Sequence, residues 1–308
     1  MKILLTGASG MVGKNILAHT KSKEYKFINP TSKELNLLEK TQIVDYLDHH
    51  KPDLIIHAAG LIGGIHANIG NPVRFLVENM QIGINLLTAA KDNNIKNLLN
   101  LGSSCMYPRG RDSGLTEDMI LTGELEPTNE GYALAKIANA RLCEYINREN
   151  PTFQYKTAIP CNLYGKYDKF DEKNSHMIPA VIRKIVNAIE SRESKVEIWG
   201  DGEARREFMY AEDLADFIFY AIDNFKKMPQ NINVGLGHDY TVTEYYKVIA
   251  KILGYKGEFV YDKSKPVGMH RKLIDNSLLS KFGWSSKIDL EIGISETCKY
   301  FLNENKND

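Results

Sequence analysis

Short apolar runs alternate with longer stretches of helical periodicity through the first half of the chain. Ile3-Leu4-Leu5 reads as a buried strand, followed by a helix over 10–19. Tyr25-Lys26-Phe27-Ile28 predicts a second strand, and 41–50 a second helix with Ile43, Val44 and Leu47 on one face. Asp53-Leu54-Ile55-Ile56-His57 is a third strand. A long helix follows over 75–91, with Phe75, Asn79, Ile82 and Leu86 along one side. Asn97-Leu98-Leu99-Asn100-Leu101 predicts a fourth strand, 132–147 another long helix, and Tyr155-Lys156-Thr157-Ala158-Ile159 a fifth strand. Period-2 and period-3.6 segments in strict alternation, joined by short Gly-bearing turns, predict an α/β fold. Its parallel sheet is doubly wound and covered on both faces.

After Tyr164-Gly165 the pattern loosens. Residues 166–175 are polar and loop-like, a helix follows over 178–191, and a Gly-bearing turn spans 199–202. A helix over 213–225 and the strand Ile232-Asn233-Val234 are regular enough to rejoin the first sheet. Later strand-like pieces include Glu258-Phe259-Val260-Tyr261. The expected organisation is a larger unit of 1–165 plus about 210–236, and a smaller discontinuous α/β unit of 166–209 and 237–308. The smaller one would lie over the carboxyl ends of the strands, as a substrate domain. A length of 308 residues fits two such units.

Gly7-Ala8-Ser9-Gly10-Met11-Val12-Gly13 falls between the first strand and the first helix. Glycines there permit a tight turn and bring backbone N–H groups onto an anion at a helix amino terminus, the phosphate-binding device of a Rossmann sheet. The spacing resembles that of short-chain dehydrogenase/reductases. The second strand runs into Asn29-Pro30-Thr31-Ser32-Lys33 with no acidic residue at the ribose-binding position. Lys33, Ser32 and Ser9 can instead host a 2′-phosphate, so NADP(H) is expected, with NAD(H) left open; Lys33 also reads as a solvated turn lysine. Tyr132 and Lys136 lie four apart on one helix face, and Ser103 and Ser104 follow the fourth strand. A ketone accepting hydride needs a proton from a phenol, a cation that lowers the phenol's pKa, and a hydroxyl that orients the oxygen.

Charge and cysteine content narrow the partners. Lys+Arg and Asp+Glu are both 39, so there is no overall field for a nucleic acid or an anionic membrane. No apolar run reaches membrane-spanning length, and the start of the chain lacks a secretory signal pattern, which predicts a cytoplasmic protein. The cysteines Cys105, Cys143, Cys161 and Cys298 have neither disulfide nor zinc spacing, and no metal site is expected.

Gly102-Ser103-Ser104-Cys105-Met106-Tyr107-Pro108, Leu125-Glu126-Pro127-Thr128-Asn129-Glu130-Gly131-Tyr132 and Asn162-Leu163-Tyr164-Gly165 resemble the GDP-L-fucose synthase family of extended short-chain reductases. So do Asn174-Ser175-His176-Met177-Ile178-Pro179-Ala180, Arg206-Glu207-Phe208, Ile232-Asn233-Val234-Gly235 and Ser264-Lys265-Pro266-Val267-Gly268. The resemblance spans essentially the whole chain. It implies NADPH-dependent reduction of a GDP-4-keto-6-deoxy sugar, hexose or heptose, with 3,5-epimerisation. Cys105 would be the base and His176 the acid, with Ser103, Tyr132 and Lys136 performing the reduction. It extends the cofactor contacts to Leu101, Gly102, Ser103, Ser104, Tyr132, Lys136, Pro160, Asn162, Leu163 and His176. It assigns the nucleotide sugar to Lys184, Trp199, Arg206 and Asp275, with Lys184 standing where the family more often has arginine. A thiol near Lys136 is expected to ionise more readily than a free one. Cys105 also fits a small buried hydrophobe, His176 a helix cap, and Arg206-Glu207 a salt-bridged surface turn. The two long helices are expected to pair across a two-fold axis into a homodimer. Alternative readings are a plain C4 reductase, a 4-epimerase that retains NAD, and a non-catalytic cofactor sensor.

Overall fold

The computed structural model describes the chain except for residues 112–113, 172–174, 266–268 and 305–308. Asn174 and Pro266-Val267-Gly268 of the motifs above thus lie outside the described residues. In chain order the strands of the main sheet are β1 (Lys2–Thr6), β2 (Lys26–Ile28), β3 (Leu54–His57), β4 (Asn97–Leu101) and β5 (Gln154–Pro160). Between and after them lie α1 (Met11–Ala18), α2 (Lys40–His50), α3 (Ile65–Gly70), α4 (Pro72–Asp92) and α5 (Glu130–Glu149). The chain continues through β6 (Asn162–Tyr164), α6 (Met177–Glu190), β7 (Lys195–Trp199), β8 (Arg205–Arg206), β9 (Phe208–Tyr210) and α7 (Ala211–Asp223). It ends with β10 (Asn231–Val234), β11 (Tyr240–Thr241), α8 (Val242–Leu253), β12 (Glu258–Asp262), β13 (Arg271–Lys272), α9 (Ser277–Phe282) and α10 (Leu290–Glu304).

The central sheet has the order β10-β5-β4-β3-β1-β2, every pairing parallel, as the alternation of elements predicts. Alternation of side chains splits each apolar run between two cores. Ile3, Leu5, Leu54, Ile56, Leu99 and Ala158 join Ile16 of α1 and the buried face of α7. Leu4, Ile55, Leu98 and Tyr155 face the other way, onto Ile43 and Leu47 of α2, Leu86 and Leu87 of α4 and Ile146 of α5. A third core gathers α6, α8 and α10 around Val196 and Ile198 of β7 and Phe208 and Tyr210 of β9. Ile274, Leu279 and Trp284, far along the chain, belong to the first core.

Several elements depart from their predicted bounds. α4 begins at Pro72, three residues before the expected start, because proline at the first helical position needs no N–H partner. Trp199, assigned from sequence to a turn, ends β7 in a parallel pair with β12; the turn starts after it. β6, β8, β9, β11 and β13 are two or three residues long, too short for any periodicity to announce them. α8 carries a complete capping box, with Thr241 and Glu244 bonding reciprocally. No helix among the described residues is long and apolar enough to cross a membrane.

Candidate active site

Four residues separate β1 from α1, and Gly7 makes the turn at φ +74. A Cβ there would fall 2.6 Å from the Ala59 amide nitrogen, and one at Gly13 would fall 2.3 Å from the Gly7 carbonyl oxygen. Only hydrogens let α1 approach the loop this closely. Gly10 donates to the Gly7 carbonyl at 3.1 Å but caps α1 with no side chain, and the first turn holds no acidic residue. The amides of Met11, Val12 and Gly13 thus meet no carboxylate from their own turn, and the turn fits a cofactor diphosphate. Ala8 is buried, and Ser9, Ser32 and Lys33 are exposed. The second-strand turn does contain a carboxylate, Glu34, which is engaged by the Thr31 amide and hydroxyl at 2.8 and 2.9 Å. Leu101, Gly102, Pro160, Asn162 and Leu163 lie at the carboxyl ends of β4 and β5 or in the adjoining β6, on the same edge of the sheet.

Beyond β4, Ser103 is extended and opens the single turn Ser104–Met106, its Oγ accepting the Cys105 amide at 3.3 Å. The Ser103 hydroxyl favours the ionised forms of the Cys105 thiol and the Tyr132 phenol. Tyr132 and Lys136 project from α5. The ammonium lies 5.8 Å from the Tyr132 ring and donates to the Leu101 carbonyl at 2.8 Å. Four predicted residues therefore meet in one cluster. Their electrostatics differ from the sequence expectation. Burial raises the Tyr132 phenol well above its ordinary value, Cys105 adds to this, and the Ser103 hydroxyl opposes it. Burial lowers Lys136 to about 8. Burial also raises the Cys105 thiol, against the pull of Lys272, Ser103 and Lys136. At Cys105 desolvation outweighs the lysines, and no lysine is among the groups that shift the Tyr132 phenol.

Polar residues that the sequence reading did not single out support this cluster. His57 is buried, bonded through Nδ1 to the Thr6 hydroxyl at 2.9 Å, and held neutral; burial and the Lys136 charge lower it to about 3. Asn79 of α4 pins the loop after β3, accepting the Leu61 amide at 2.8 Å. Asn139 of α5 donates to the Asn79 carbonyl at 3.4 Å and lies against Gly83, where a Cβ would come within 2.0 Å of its amide nitrogen. This close approach fixes the helix that carries Tyr132 and Lys136.

The remaining predicted residues are spread around the cleft. His176 stands at the amino end of α6, and its pKa is lowered by burial and by Lys169. Its neighbour Ser175 lies against the loop after β3, with the carbonyl 3.2 Å from where a Gly64 Cβ would sit. Lys184 and Trp199 share Glu197: the ammonium donates to its carbonyl and the indole N–H to its carboxylate, the latter at 2.9 Å. Trp199 is 42% exposed, with His66 of α3 edge-on at 5.7 Å. Arg206 donates to its neighbour's carbonyl at 2.8 Å. The Asp275 carboxylate accepts the Ser277 amide at 2.8 Å. Among the described contacts none joins His176 to Cys105 or Trp199 to Arg206.

Glu207 is no surface-turn residue. It is 1% exposed and accepts the amides of Leu236, Gly237 and Ile274 at 2.6, 2.9 and 3.1 Å, tying β8–β9 to the segment before Asp275. A charged Arg-Glu dipeptide carries no sequence signal for such burial.

A family model described as NAD dependent epimerase/dehydratase family matches residues 3–235. GDP-L-colitose synthase of Yersinia pseudotuberculosis is 83% identical over 308 residues, covering 100% of both chains. GDP-L-fucose synthase of Escherichia coli (strain K12) is 39% identical over 310 residues, covering 98% of this chain and 96% of the other. Among solved structures, MlghC, a GDP-mannoheptose C4 reductase from Campylobacter jejuni with NADP bound, superposes with a TM-score of 0.88 at 30% identity, covering 98% of each chain.

Proposed function

The chain belongs to the NAD dependent epimerase/dehydratase family, and from that premise we propose that it is an NADPH-dependent reductase and epimerase of a GDP-linked 4-keto-deoxy sugar, with GDP-L-colitose as its product. The observation that carries this reading is the 83% identity over the full length of both chains with GDP-L-colitose synthase.

The Gly7–Gly13 turn and the exposed Ser9, Ser32 and Lys33 would hold the cofactor's phosphates, and Leu101–Ser104, Pro160, Asn162 and Leu163 its nicotinamide half. NADPH bound there supplies the hydride for the ketone. Ser103 orients the ketone oxygen and Tyr132 protonates it as charge develops. The Lys136 ammonium, 5.8 Å from the phenol ring, stabilises the charge left behind. Before reduction, Cys105 removes a proton from a carbon beside the ketone, and the C–H electron pair moves to the same oxygen. His176 returns a proton from the other face. Lys184, Trp199, Arg206 and Asp275 would hold the nucleotide, with Arg206 offering a planar fork to the diphosphate.

The test is turnover of a GDP-4-keto-deoxy sugar with NADPH in deuterated water. Deuterium beside the former ketone and an inverted sugar configuration support the reading. Reduction without deuterium makes the protein a plain C4 reductase, the alternative favoured by the burial that raises the Cys105 thiol and by the likeness to a GDP-mannoheptose C4 reductase.

The same proposal divides the chain into a cofactor unit, 1–165 with about 210–236, and a sugar unit, 166–209 with 237–308. The separate core around α6, α8 and α10 supports it. It also includes a homodimer through α4 and α5. These helices expose Val73, Val77 and Ile84, and Leu134 and Tyr145, and the patch is otherwise left to water. Sedimentation at micromolar concentration that gives only a 34.9 kDa species overturns the dimer. The proposal also includes a cytoplasmic location, which activity in a membrane fraction would contradict.

A further inference from the structure

Two of the sequence motifs, the run through Tyr107 and the run Ile232-Asn233-Val234, meet at one buried side chain. Asn233 of β10 is 0% exposed, and each polar atom of its side chain has a partner. Its Nδ2 donates to the Leu115 carbonyl at 2.8 Å and to the Asp275 carbonyl at 2.9 Å. Its Oδ1 accepts the Tyr107 hydroxyl at 2.6 Å. Carbonyls only accept, so the two of them fix which way the amide points and leave its oxygen to the phenol. The Asn233 backbone amide donates in turn to the Glu117 carboxylate at 2.7 Å.

These partners belong to two ends of the proposed sugar site. Tyr107 directly follows the single turn Ser104–Met106, which carries Cys105 and is opened by Ser103. The turn has few bonds of its own: the Met106 amide reaches the Ser103 carbonyl at 3.0 Å, and the Tyr107 amide the Ser104 carbonyl at 3.4 Å. Bonds of this 3₁₀ type are poorer than those of an α-helix, and the Tyr107 phenol anchors the far end of the turn. Asp275 is gripped through its backbone. Its amide donates to the Leu115 carbonyl at 2.9 Å, its carbonyl accepts Asn233, and the preceding amide, that of Ile274, goes to Glu207. We propose that Asn233 is a positioning residue that sets the span between the turn bearing Ser103 and Cys105 and the Asp275 end of the sugar site, with Tyr107 as its arm to the turn. This rests on the roles given above to Ser103, Cys105 and Asp275.

An amide suits this point because two acceptors and one donor converge on it. A carboxylate would set its charge against both carbonyls, and an apolar side chain would leave the buried Tyr107 phenol without its partner. A fully satisfied buried network holds a single arrangement, so the two ends it joins cannot drift independently. The consequence for the reaction is geometric. Ser103 has to stand at the ketone oxygen and Cys105 beside the neighbouring carbon while the nucleotide is held at a distance. A shift of about 1 Å between those two ends would separate reacting atoms without releasing the sugar. Among the described bonds none runs from Asn233 or Tyr107 to the Gly7–Gly13 turn, so the cofactor's own seat stands outside the network.

Two substitutions in the full chain cut the two arms separately. Tyr107→Phe keeps the ring and removes the hydroxyl. Asn233→Asp keeps an acceptor for the phenol and loses both donations to the carbonyls. Each variant is measured for NADP(H) and GDP affinity by calorimetry and for turnover of a GDP-4-keto-deoxy sugar. Tyr107→Phe is expected to lower kcat by about 10-fold or more, with KM and both affinities within about 2-fold. Asn233→Asp is expected to raise KM and weaken GDP by about 10-fold, with NADP(H) affinity unchanged. Should Asn233→Asp fail to bind NADP(H), Asn233→Ser, which brings no charge, takes its place with the same expected split. Unchanged kcat and KM in both folded variants, whatever their melting temperature, overturns the assignment, as does a loss of NADP(H) affinity as large as that of GDP. A wild type that turns over no such sugar removes the reaction proposed above. In that case a GDP affinity that still falls in the Asn233 variant sustains the positioning role, and one that does not fall overturns it.

Discussion

Between Thr6 and Met11 the proposed cofactor site is made of backbone. Gly7 at φ +74, the packed Gly13 and the amides of α1's first turn do their work without an ionised side chain. The opposite edge is made of charge. Glu207 collects three amides, Asp239 holds Arg205 and Arg271, and Lys272 and Arg206 stand in register beside them. The strands on that side are two or three residues long and cannot hold themselves in place by ladder bonds alone. The regular sheet positions its site through geometry repeated in many folds. The irregular region is held instead by long-range polar ties such as those of Glu207 and Asp239.

Three substitutions probe this difference. The largest effect is expected for Gly13→Ala, because the new methyl would meet backbone atoms 2.3 to 2.8 Å away. Affinity for NADP(H) should fall by about 100-fold or more, as the helix amides leave the phosphate. Binding of GDP, titrated by calorimetry, should stay within a few-fold. Equal loss of both ligands would show that the two edges are not separable.

Asp239→Ala tests the other edge. It leaves two guanidinium groups in register without their carboxylate, each about a third exposed. The cost should be about 2 kcal/mol, less than for a fully buried pair because water still reaches the cations. Denaturant unfolding measures it, and GDP-sugar affinity should weaken more than cofactor affinity. A variant as stable as the parent would show that the ties are ornamental.

The smallest effect concerns pH. Burial raises the Glu207 carboxyl from an ordinary 4.5 to about 7, against its three amide donors. Between those values the folded protein holds a proton that the unfolded chain has released, so this group makes stability fall as pH rises through the window. Asp168, also raised to about 7 by burial, acts with the same sign, and His57, lowered to about 3, acts with the opposite sign below its ordinary 6.5. Glu207→Gln should therefore flatten the pH dependence of unfolding across the window. An unchanged slope would remove Glu207 as the proton-linked group.

The same contrast decides what the sequence discloses. The central sheet was legible because most of its strands are long enough to show an apolar run and its helices to show a face. The glycine turn was legible because Gly7, Gly10 and Gly13 answer to a local steric need. Ser103, Tyr132 and Lys136 followed from one strand end and one helix face, and Cys105 from the family resemblance. Burial was not legible: the expectation that Lys136 eases ionisation of Tyr132 and Cys105 depends on desolvation, which no spacing reveals. Nor was the pinning of Glu207, whose three donors lie 29 to 67 residues away along the chain.

The sheet order has a consequence for the order in which the molecule can be made. β5 is buried along nearly its whole length, yet its outer neighbour is β10, about seventy residues further on. On a ribosome adding ~5–20 residues per second, the free edge of β5 must wait several seconds for its partner. During that time it is an open template for pairing with another nascent chain. Pro160, the last residue of β5, offers no N–H to an intruder at that end, whereas the four strands behind it are already complete.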